Sequence, residues 1–247
     1  MYAQDDTIAD LAHRLLDRRP AQNTYLIGIT GSVAVGKTTL AESLAQYLTK
    51  CAGGDAVEIL STDGFLLPND VLDAKGLTLR KGFPESYDQT LFGQVIADLR
   101  RGAAIVPVYS HRIYDIDPAS ARRIERADIV IVEGLGFPVP AAPLVDAMIY
   151  IDADEGDIEN WFVTRFMRLW HEAEHDPSSF YVRFRNLSPD DAKLFAHKVW
   201  ADINLPNLQH HIIHARDTAD FVLKKAPDHR IDAGFKAWRK SGNPQDL

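Results

Sequence analysis

One stretch of this chain combines the residue types that bind phosphate, and it reads Gly-Ser-Val-Ala-Val-Gly-Lys-Thr over residues 31–38. It fits the pattern G-x-x-x-x-G-K-[ST] at every fixed position. In such a loop backbone N–H groups surround phosphate oxygens, Lys37 reaches the β- and γ-phosphates, and the Thr38 hydroxyl holds Mg²⁺. The segment therefore predicts a site for ATP and Mg²⁺. The nucleotide contacts are expected from Gly31, Ser32, Val33, Ala34, Val35, Gly36, Lys37, Thr38 and Thr39.

The flanking sequence has the elements that must position this loop. An apolar run of strand length covers residues 25–30, and Leu40, Leu44 and Leu48 recur every four residues after the loop. A strand, a glycine-rich loop and a helix in that order are the context of a phosphate-binding loop. The alternative, a plain glycine turn before a helix, is disfavoured by that context.

An acidic residue follows the next predicted strand. Residues 56–61 form a strand-like run, and Asp63 comes directly after it. Because ligands of open α/β sheets lie at the carboxyl ends of strands, Asp63 is a candidate base for a substrate hydroxyl, or a ligand of Mg²⁺ through water. The structural alternative is an ordinary Asp-Gly turn.

The clearest buried strand covers residues 127–133 and ends in Glu133. Its β-branched residues run without alternation, as in a central parallel strand. An acid at such a position helps to place Mg²⁺ in phosphate-transferring enzymes, so Glu133 joins Thr38 as a candidate metal ligand. A strand-terminal surface glutamate is the alternative.

Strand and helix patterns alternate along the chain, which predicts an α/β fold with a doubly wound, mostly parallel sheet flanked by helices. We expect a single P-loop kinase domain over residues 1–247, with a small lid or substrate lobe. An N-terminal helix occupies about 1–24, and a helical substrate or lid region occupies about 155–210. Further helices are predicted at 90–99 and 155–170, and further strands at 148–152 and 221–223.

Local sequence signals predict where several helices and strands begin or end. Thr7 is a plausible N-cap of the first helix. A strand runs from 104 to 115, and Pro107 favours an edge position for it. Ser188 begins a helix that ends near residues 204–207.

Composition narrows the class of protein. The chain has 247 residues, 46% of them hydrophobic, which suffices for one α/β domain with its own core. A net charge of −8 argues against a nucleic-acid or anionic-membrane partner. The single cysteine, Cys51, excludes an internal disulfide and fits a reducing cytoplasm. With no signal peptide or membrane-length apolar run apparent, we expect a cytoplasmic protein.

Other polar residues allow two interpretations. Lys81, beside Arg80, reads better as a solvated surface residue than as a phosphate ligand. Arg165 lies in an aromatic helical stripe, where it either closes over a transferring phosphoryl group or is solvated. His111 is a substrate contact or an exposed strand residue. The aromatic-basic segment 180–184 suggests a lid or pocket wall.

Six stretches together resemble the bacterial type I pantothenate kinases, within the P-loop kinases related to phosphoribulokinase and uridine kinase. The most specific is Lys-Gly-Phe-Pro-Glu-Ser-Tyr-Asp at 81–88, combined with Tyr-Ser-His at 109–111. The matching stretches are 31–37, 61–66, 80–88, 107–111, 131–135 and 203–208.

The resemblance implies transfer of the ATP γ-phosphoryl group to the primary hydroxyl of pantothenate, the first step toward coenzyme A, by a homodimer. It implies that Asp63 is the base, and that Lys37 and Arg165 are the cations around the moving group. Pantothenate-pocket positions match Tyr109, His111, Tyr181 and Asn204, and aromatic wall positions match Phe166 and Phe180.

Four positions depart from that family. Phe162 stands at a pocket position where the family has a tyrosine, Leu169 replaces an aromatic residue, and Gly136-Phe137 replaces Asn-Val. Glu42 stands where the family has an arginine that helps to bind coenzyme A as a feedback inhibitor. These departures leave open a related kinase acting on a nucleoside or sugar. A nucleotide-binding regulator is a third interpretation, against which the strand at 109–111 and the aromatic segment at 180–181 argue.

Overall fold

A computed structural model describes residues 2–51, 56–138, 141 and 144–231 of the chain. In chain order the strands are β1 (Tyr25–Gly31), β2 (Val57–Ser61), β3 (Ala103–Val106), β4 (Tyr109–Ser110), β5 (Asp115–Ile116), β6 (Arg122–Glu125), β7 (Ile129–Glu133), β8 (Ala147–Asp152) and β9 (Phe221–Lys224). The α-helices are α1 (Tyr2–Leu16), α2 (Lys37–Cys51), α3 (Asn69–Ala74), α4 (Gln89–Arg100), α5 (Glu155–Glu172), α6 (Pro189–Val199), α7 (Leu205–Asn207) and α8 (His214–Thr218).

The central sheet has the strand order β2-β7-β1-β8-β9, and all of its neighbouring strands are parallel. Strands β1 and β7 are buried along their whole length, as their unbroken apolar runs predict. The predicted doubly wound α/β fold is therefore confirmed, and the predicted strands ending at residues 61, 133 and 152 lie within this sheet.

The strand register brings the candidate residues to one edge of the sheet. Ser61 and Ile29 both pair with Glu133, and Gly31 pairs with Ile151. The phosphate-binding loop and the segments after β2 and β7 consequently leave the sheet side by side. This is the carboxyl edge, where open α/β sheets bind their ligands.

Helix α2 begins at Lys37, directly after the loop, and presents one apolar face to the sheet. Its Leu40, Leu44 and Leu48 are buried, as their spacing predicts. This buried face anchors the helix that follows the loop against the sheet.

The N-cap prediction for Thr7 is wrong, because α1 begins at Tyr2 and Thr7 lies buried inside the helix. The single strand predicted from 104 to 115 is also wrong. The chain breaks at Pro107 into β3, which pairs with β6, and β4, which pairs with β5. Pro107 has no N–H to donate, and Tyr114 turns the second hairpin with a φ of 57°.

The helix that begins after Ser188 does not end near residues 204–207. It continues through two π turns and short α-helical pieces to Thr218. Pro206 removes one backbone donor, and the wider π turns before and after it accommodate that loss without ending the helix. The Ser188 cap itself is confirmed, since its side chain accepts a hydrogen bond from the Asp191 N–H.

Substitution of Ile131 tests how much burial of the central strand β7 contributes to stability. It is fully buried in β7, whereas Ile105 on β3 is 64% exposed. We expect Ile131→Ala to lower the free energy of unfolding by about 2–5 kcal/mol, because it leaves a cavity in the core. Ile105→Ala, the matched control, should lower it by less than about 1 kcal/mol. Equal losses in urea denaturation would contradict this assignment of the core.

Candidate active site

The phosphate-binding loop has the backbone geometry that its glycines allow. Gly31 and Gly36 have φ values of 146° and 94°, which other residues rarely adopt. A Cβ atom on Gly31 would lie 2.6 Å from the Ile151 carbonyl oxygen, so a side chain has no room there. The loop leads directly into α2, whose N-terminus contributes the positive end of the helix dipole.

Lys37 is half-buried against the loop, with two carboxylates within electrostatic reach. Its Nζ donates to the carbonyl oxygens of Ser32 at 2.9 Å and Gly31 at 3.3 Å. Burial holds the pKa of Lys37 below its ordinary value, and Glu133 and Asp63 partly oppose this shift. The ammonium is thus placed beside the loop that binds phosphate.

Thr38 and Glu133 form a pair of oxygen donors at the end of the loop. The Thr38 hydroxyl lies 3.3 Å from Glu133 Oε1 and donates to it. Glu133 is only 6% exposed, and burial raises the pKa of its carboxyl, with Lys37 opposing the shift. A hydroxyl and a buried carboxylate are the hard oxygen ligands that Mg²⁺ takes, so the donor set fits that ion.

Asp63 lies on a 3₁₀ turn (Thr62–Phe65) after β2, and the Ser61 hydroxyl caps the turn by accepting from the Asp63 N–H. Its carboxylate is partly exposed, and its Oδ2 lies 4.0 Å from His111 Nε2. A Cβ atom on Gly64 would lie 2.4 Å from the Pro107 carbonyl oxygen. The Asp-Gly turn is therefore both a tight structural turn and the element that presents Asp63.

A cavity of about 180 Å³ opens beside Asp63. Tyr109 and His111 line it from the β4 hairpin, and Arg122 lines it from β6. Burial raises the pKa of the Tyr109 hydroxyl, with the Tyr114 hydroxyl and Asp63 adding to the shift, so the hydroxyl stays a neutral hydrogen-bond donor. The acid thus faces a space that has polar groups on its walls.

The 3₁₀ turn at Phe180–Phe184 covers the β4–β5 hairpin from the side of the helices. The Phe180 ring stacks on Tyr114 with a centroid distance of 3.9 Å, and Tyr181 packs edge-on against Phe166 at 5.4 Å. Phe166 is itself buried between α5 and α6, so it supports this turn from below. Phe162, one turn earlier on α5, packs toward Trp200.

The two arginines of α5 have different surroundings. Burial raises the pKa values of Tyr114 and Tyr181 and lowers that of Lys37, and the charge of Arg165 acts on all three groups, so its side chain lies on the side of the site. Arg168 instead pairs with Glu172 at 2.7 Å on the surface. Of the pair, Arg165 is therefore the one whose charge acts on Lys37.

Asn204 lies in the first π turn, at Trp200–Asn204. Its Nδ2 atom is buried and has no hydrogen-bond partner within the part of the chain that the structure describes. A buried amide without a partner is costly, so this atom is suited to a ligand contact. One turn later, Asn207 donates to the Gly82 carbonyl at 2.9 Å and so fixes the loop that carries Lys81.

Lys81 lies at the site, which its interpretation as a solvated lysine does not predict. Its half-buried ammonium donates to Asn69 Oδ1 and the Tyr114 carbonyl, both at 2.7 Å, and lies over the Tyr109 ring at 4.8 Å. Burial lowers its pKa to about 8, although Asp115 and Asp63 oppose the shift. The interpretation of Lys81 as a solvated surface residue is therefore wrong. The sequence feature that points to Lys81 is its membership of the specific run at residues 81–88.

The loop at residues 31–38 between a parallel strand and a helix, with Asp63 and Glu133 at the same edge of the sheet, has the arrangement of a P-loop kinase. Residues 26–172 match the model of the phosphoribulokinase / uridine kinase family. A curated pantothenate kinase from Sorangium cellulosum (strain So ce56) is 44% identical over 230 residues, which cover 89% of this chain and 73% of that protein.

A pantothenate kinase from Streptococcus pneumoniae serotype 19F (strain G54) is 40% identical over 225 residues, covering 88% of this chain and 74% of that protein. Among solved structures, a putative fructose transport system kinase from Silicibacter sp. TM1040 has a TM-score of 0.67 at 24% identity. It covers 86% of this chain and 94% of its own, and shows the shared fold. The chain belongs to the pantothenate kinases, within the phosphoribulokinase / uridine kinase family.

Lys81 provides a test of the electrostatics around Asp63. Lys81→Met should lower kcat/KM for the acceptor by about tenfold, because it removes a charge-assisted contact. Since the pKa of Lys81 is about 8, wild-type kcat/KM should fall as the pH rises through 8 and the ammonium loses its proton. Lys81→Arg should remove that decline, since a guanidinium stays protonated.

The exposed Lys75 supplies the matched control for this test. Lys75→Met should leave kcat/KM and its pH profile unchanged. Wild-type values in Lys81→Met, or an alkaline decline that persists in Lys81→Arg, would exclude this role for Lys81.

Proposed function

We propose that this chain transfers the γ-phosphoryl group of ATP to the primary hydroxyl of pantothenate, forming 4'-phosphopantothenate for coenzyme A synthesis. The observation that supports it most is the placement of Asp63, which faces a cavity and lies within electrostatic reach of Lys37 and Glu133. The curated relatives, at 40–44% identity, bear the name of this activity.

In this proposal Asp63 orients the acceptor hydroxyl and takes its proton as the oxygen attacks phosphorus. Lys37 and Arg165 stabilise the negative charge that develops on the moving phosphoryl group. Thr38 and Glu133 would hold Mg²⁺, which neutralises charge on the β- and γ-phosphates when bound. The transfer is direct and in line, so no covalent enzyme intermediate is needed.

In the proposed acceptor site, one group of residues makes polar contacts and another group forms an apolar wall. Tyr109 and His111 contact the acceptor from the β4 hairpin, while Tyr181 and Asn204 contact it from the helical region. Phe162, Phe166 and Phe180 form the aromatic wall. The buried, unpartnered Asn204 amide and the rings around Tyr181 support this division.

We also propose that residues 1–247 form one kinase domain, with residues of about 155–210 acting as its substrate and lid region. A homodimer working in the cytoplasm is proposed from the family resemblance. Within the described residues, no helix combines the length and apolar character needed to cross a bilayer.

A coupled ADP-release assay against a panel of acceptors tests this function. We expect ADP release only when pantothenate is added, and none with nucleosides or sugars. Asp63→Asn should lower kcat by about 100-fold or more while leaving ATP affinity within about twofold, because the carboxylate acts on the acceptor.

Asp70→Asn, on the exposed start of α3, is the matched control and should behave like the wild type. Turnover with a nucleoside or sugar but not with pantothenate would refute the acceptor assignment. Equal losses of kcat and ATP affinity in Asp63→Asn would remove Asp63 from the role of base.

A further inference from the structure

Lys225 reaches the phosphate-binding loop from the far end of the sheet. It follows β9 directly, and its backbone N–H donates to the Asp152 carbonyl at 2.8 Å. Its half-buried Nζ donates to the Val35 carbonyl oxygen at 2.7 Å. The sequence pattern of the loop says nothing about this contact, because the two residues are 190 positions apart.

The contact fixes the orientation of one peptide unit in the loop. The carbonyl of Val35 and the N–H of Gly36 belong to the same peptide bond, and in a trans peptide the two groups point in opposite directions. When Lys225 holds this carbonyl, the Gly36 N–H must point away from Lys225. Such N–H groups are the donors with which this type of loop surrounds phosphate oxygens.

Gly36 lies directly beside this ammonium. A Cβ atom on Gly36 would lie 2.6 Å from Lys225 Nζ, closer than any real contact of that kind. The φ of 94° already favours glycine at this position. The positive φ therefore accounts for glycine at this position, and Lys225 Nζ lies directly beside its backbone.

The same ammonium contacts the helix that carries Arg165. Lys225 Nζ lies 5.1 Å from the centre of the Trp161 ring on α5, four residues before Arg165. Trp161 is held in turn by stacking on His229 at 4.6 Å and by donating to the Pro227 carbonyl at 3.3 Å. Lys225 thus joins the loop, the turn after β9 and α5 at one point.

Among residues 2–51, 56–138, 141 and 144–231, the charge of Lys225 has no acidic partner. Its neighbour Lys224 pairs with Asp154 at 2.6 Å, whereas no carboxylate in the described ranges pairs with Lys225. Burial lowers the pKa of Lys225, because the charged form is partly removed from water. A polyphosphate bound in the adjacent loop would supply a negative charge.

We propose that Lys225 is a positioning residue for nucleotide binding, which holds the Val35 carbonyl so that the Gly36 N–H is presented to the phosphates. This inference rests on the proposed nucleotide site but not on the identity of the acceptor.

Calorimetric titration of ATP and ADP, without pantothenate, tests this role. Lys225→Met should weaken nucleotide binding by about tenfold, the effect of losing one charge-assisted hydrogen bond. Lys225→Gln retains a donor but no charge, and should weaken binding by about threefold. Lys224→Met, the matched control, should stay within about twofold of the wild type. At saturating ATP, the KM for pantothenate should remain unchanged in all three variants.

Wild-type nucleotide affinity in Lys225→Met would overturn the proposal, as would equal weakening in the Lys224 and Lys225 variants. A KM for pantothenate that rises as much as the nucleotide dissociation constant would show a general structural role instead. If Lys225→Met fails to fold, affinity in Lys225→Gln equal to that of the wild type overturns the proposal. Failure of the proposed function would look different, since the wild type would bind ATP without releasing ADP in the presence of pantothenate.

Discussion

The interaction on which the site depends is the electrostatic balance between Lys37 and the carboxylates of Glu133 and Asp63. Burial opposes the charged forms of both Lys37 and Glu133, and their mutual attraction partly offsets that cost. The balance holds only because the parallel register brings the ends of β1, β2 and β7 to one edge of the sheet. The pairing of these strands thereby determines where the three charged side chains meet.

The acceptor side of the site is built differently from the nucleotide side. The nucleotide loop takes its shape from the positive φ values that its glycines allow, and the buried face of α2 anchors the helix that follows it. The cavity beside Asp63 is instead lined by the β4 hairpin and by residues of β2, and the aromatic turn at Phe180–Phe184 meets that hairpin through the stack of Phe180 on Tyr114. Such contacts between separate segments allow the acceptor side to vary while the phosphate side stays constant.

The sequence sufficed to predict the sheet, the phosphate-binding loop and the positions of Asp63 and Glu133, because each depends on short-range patterns. Contacts between distant segments could not be predicted in this way. Lys81 meets the Tyr114 carbonyl 33 residues away, and Asn207 meets Gly82 across 125 residues. The helix past Pro206 was missed for a different reason, since π turns have no simple hydrophobic period.

The central claim is that a backbone amide loop and Lys37 hold the polyphosphate of ATP beside a carboxylate that faces the acceptor hydroxyl. A crystal structure with a non-hydrolysable ATP analogue and pantothenate tests it most directly. We expect the Asp63 carboxylate at about 2.6–3.2 Å from the primary hydroxyl oxygen, with that oxygen in line with the γ-phosphorus. A hydroxyl bound beyond hydrogen-bond reach of Asp63, or phosphates bound away from the loop at residues 31–38, would contradict the account.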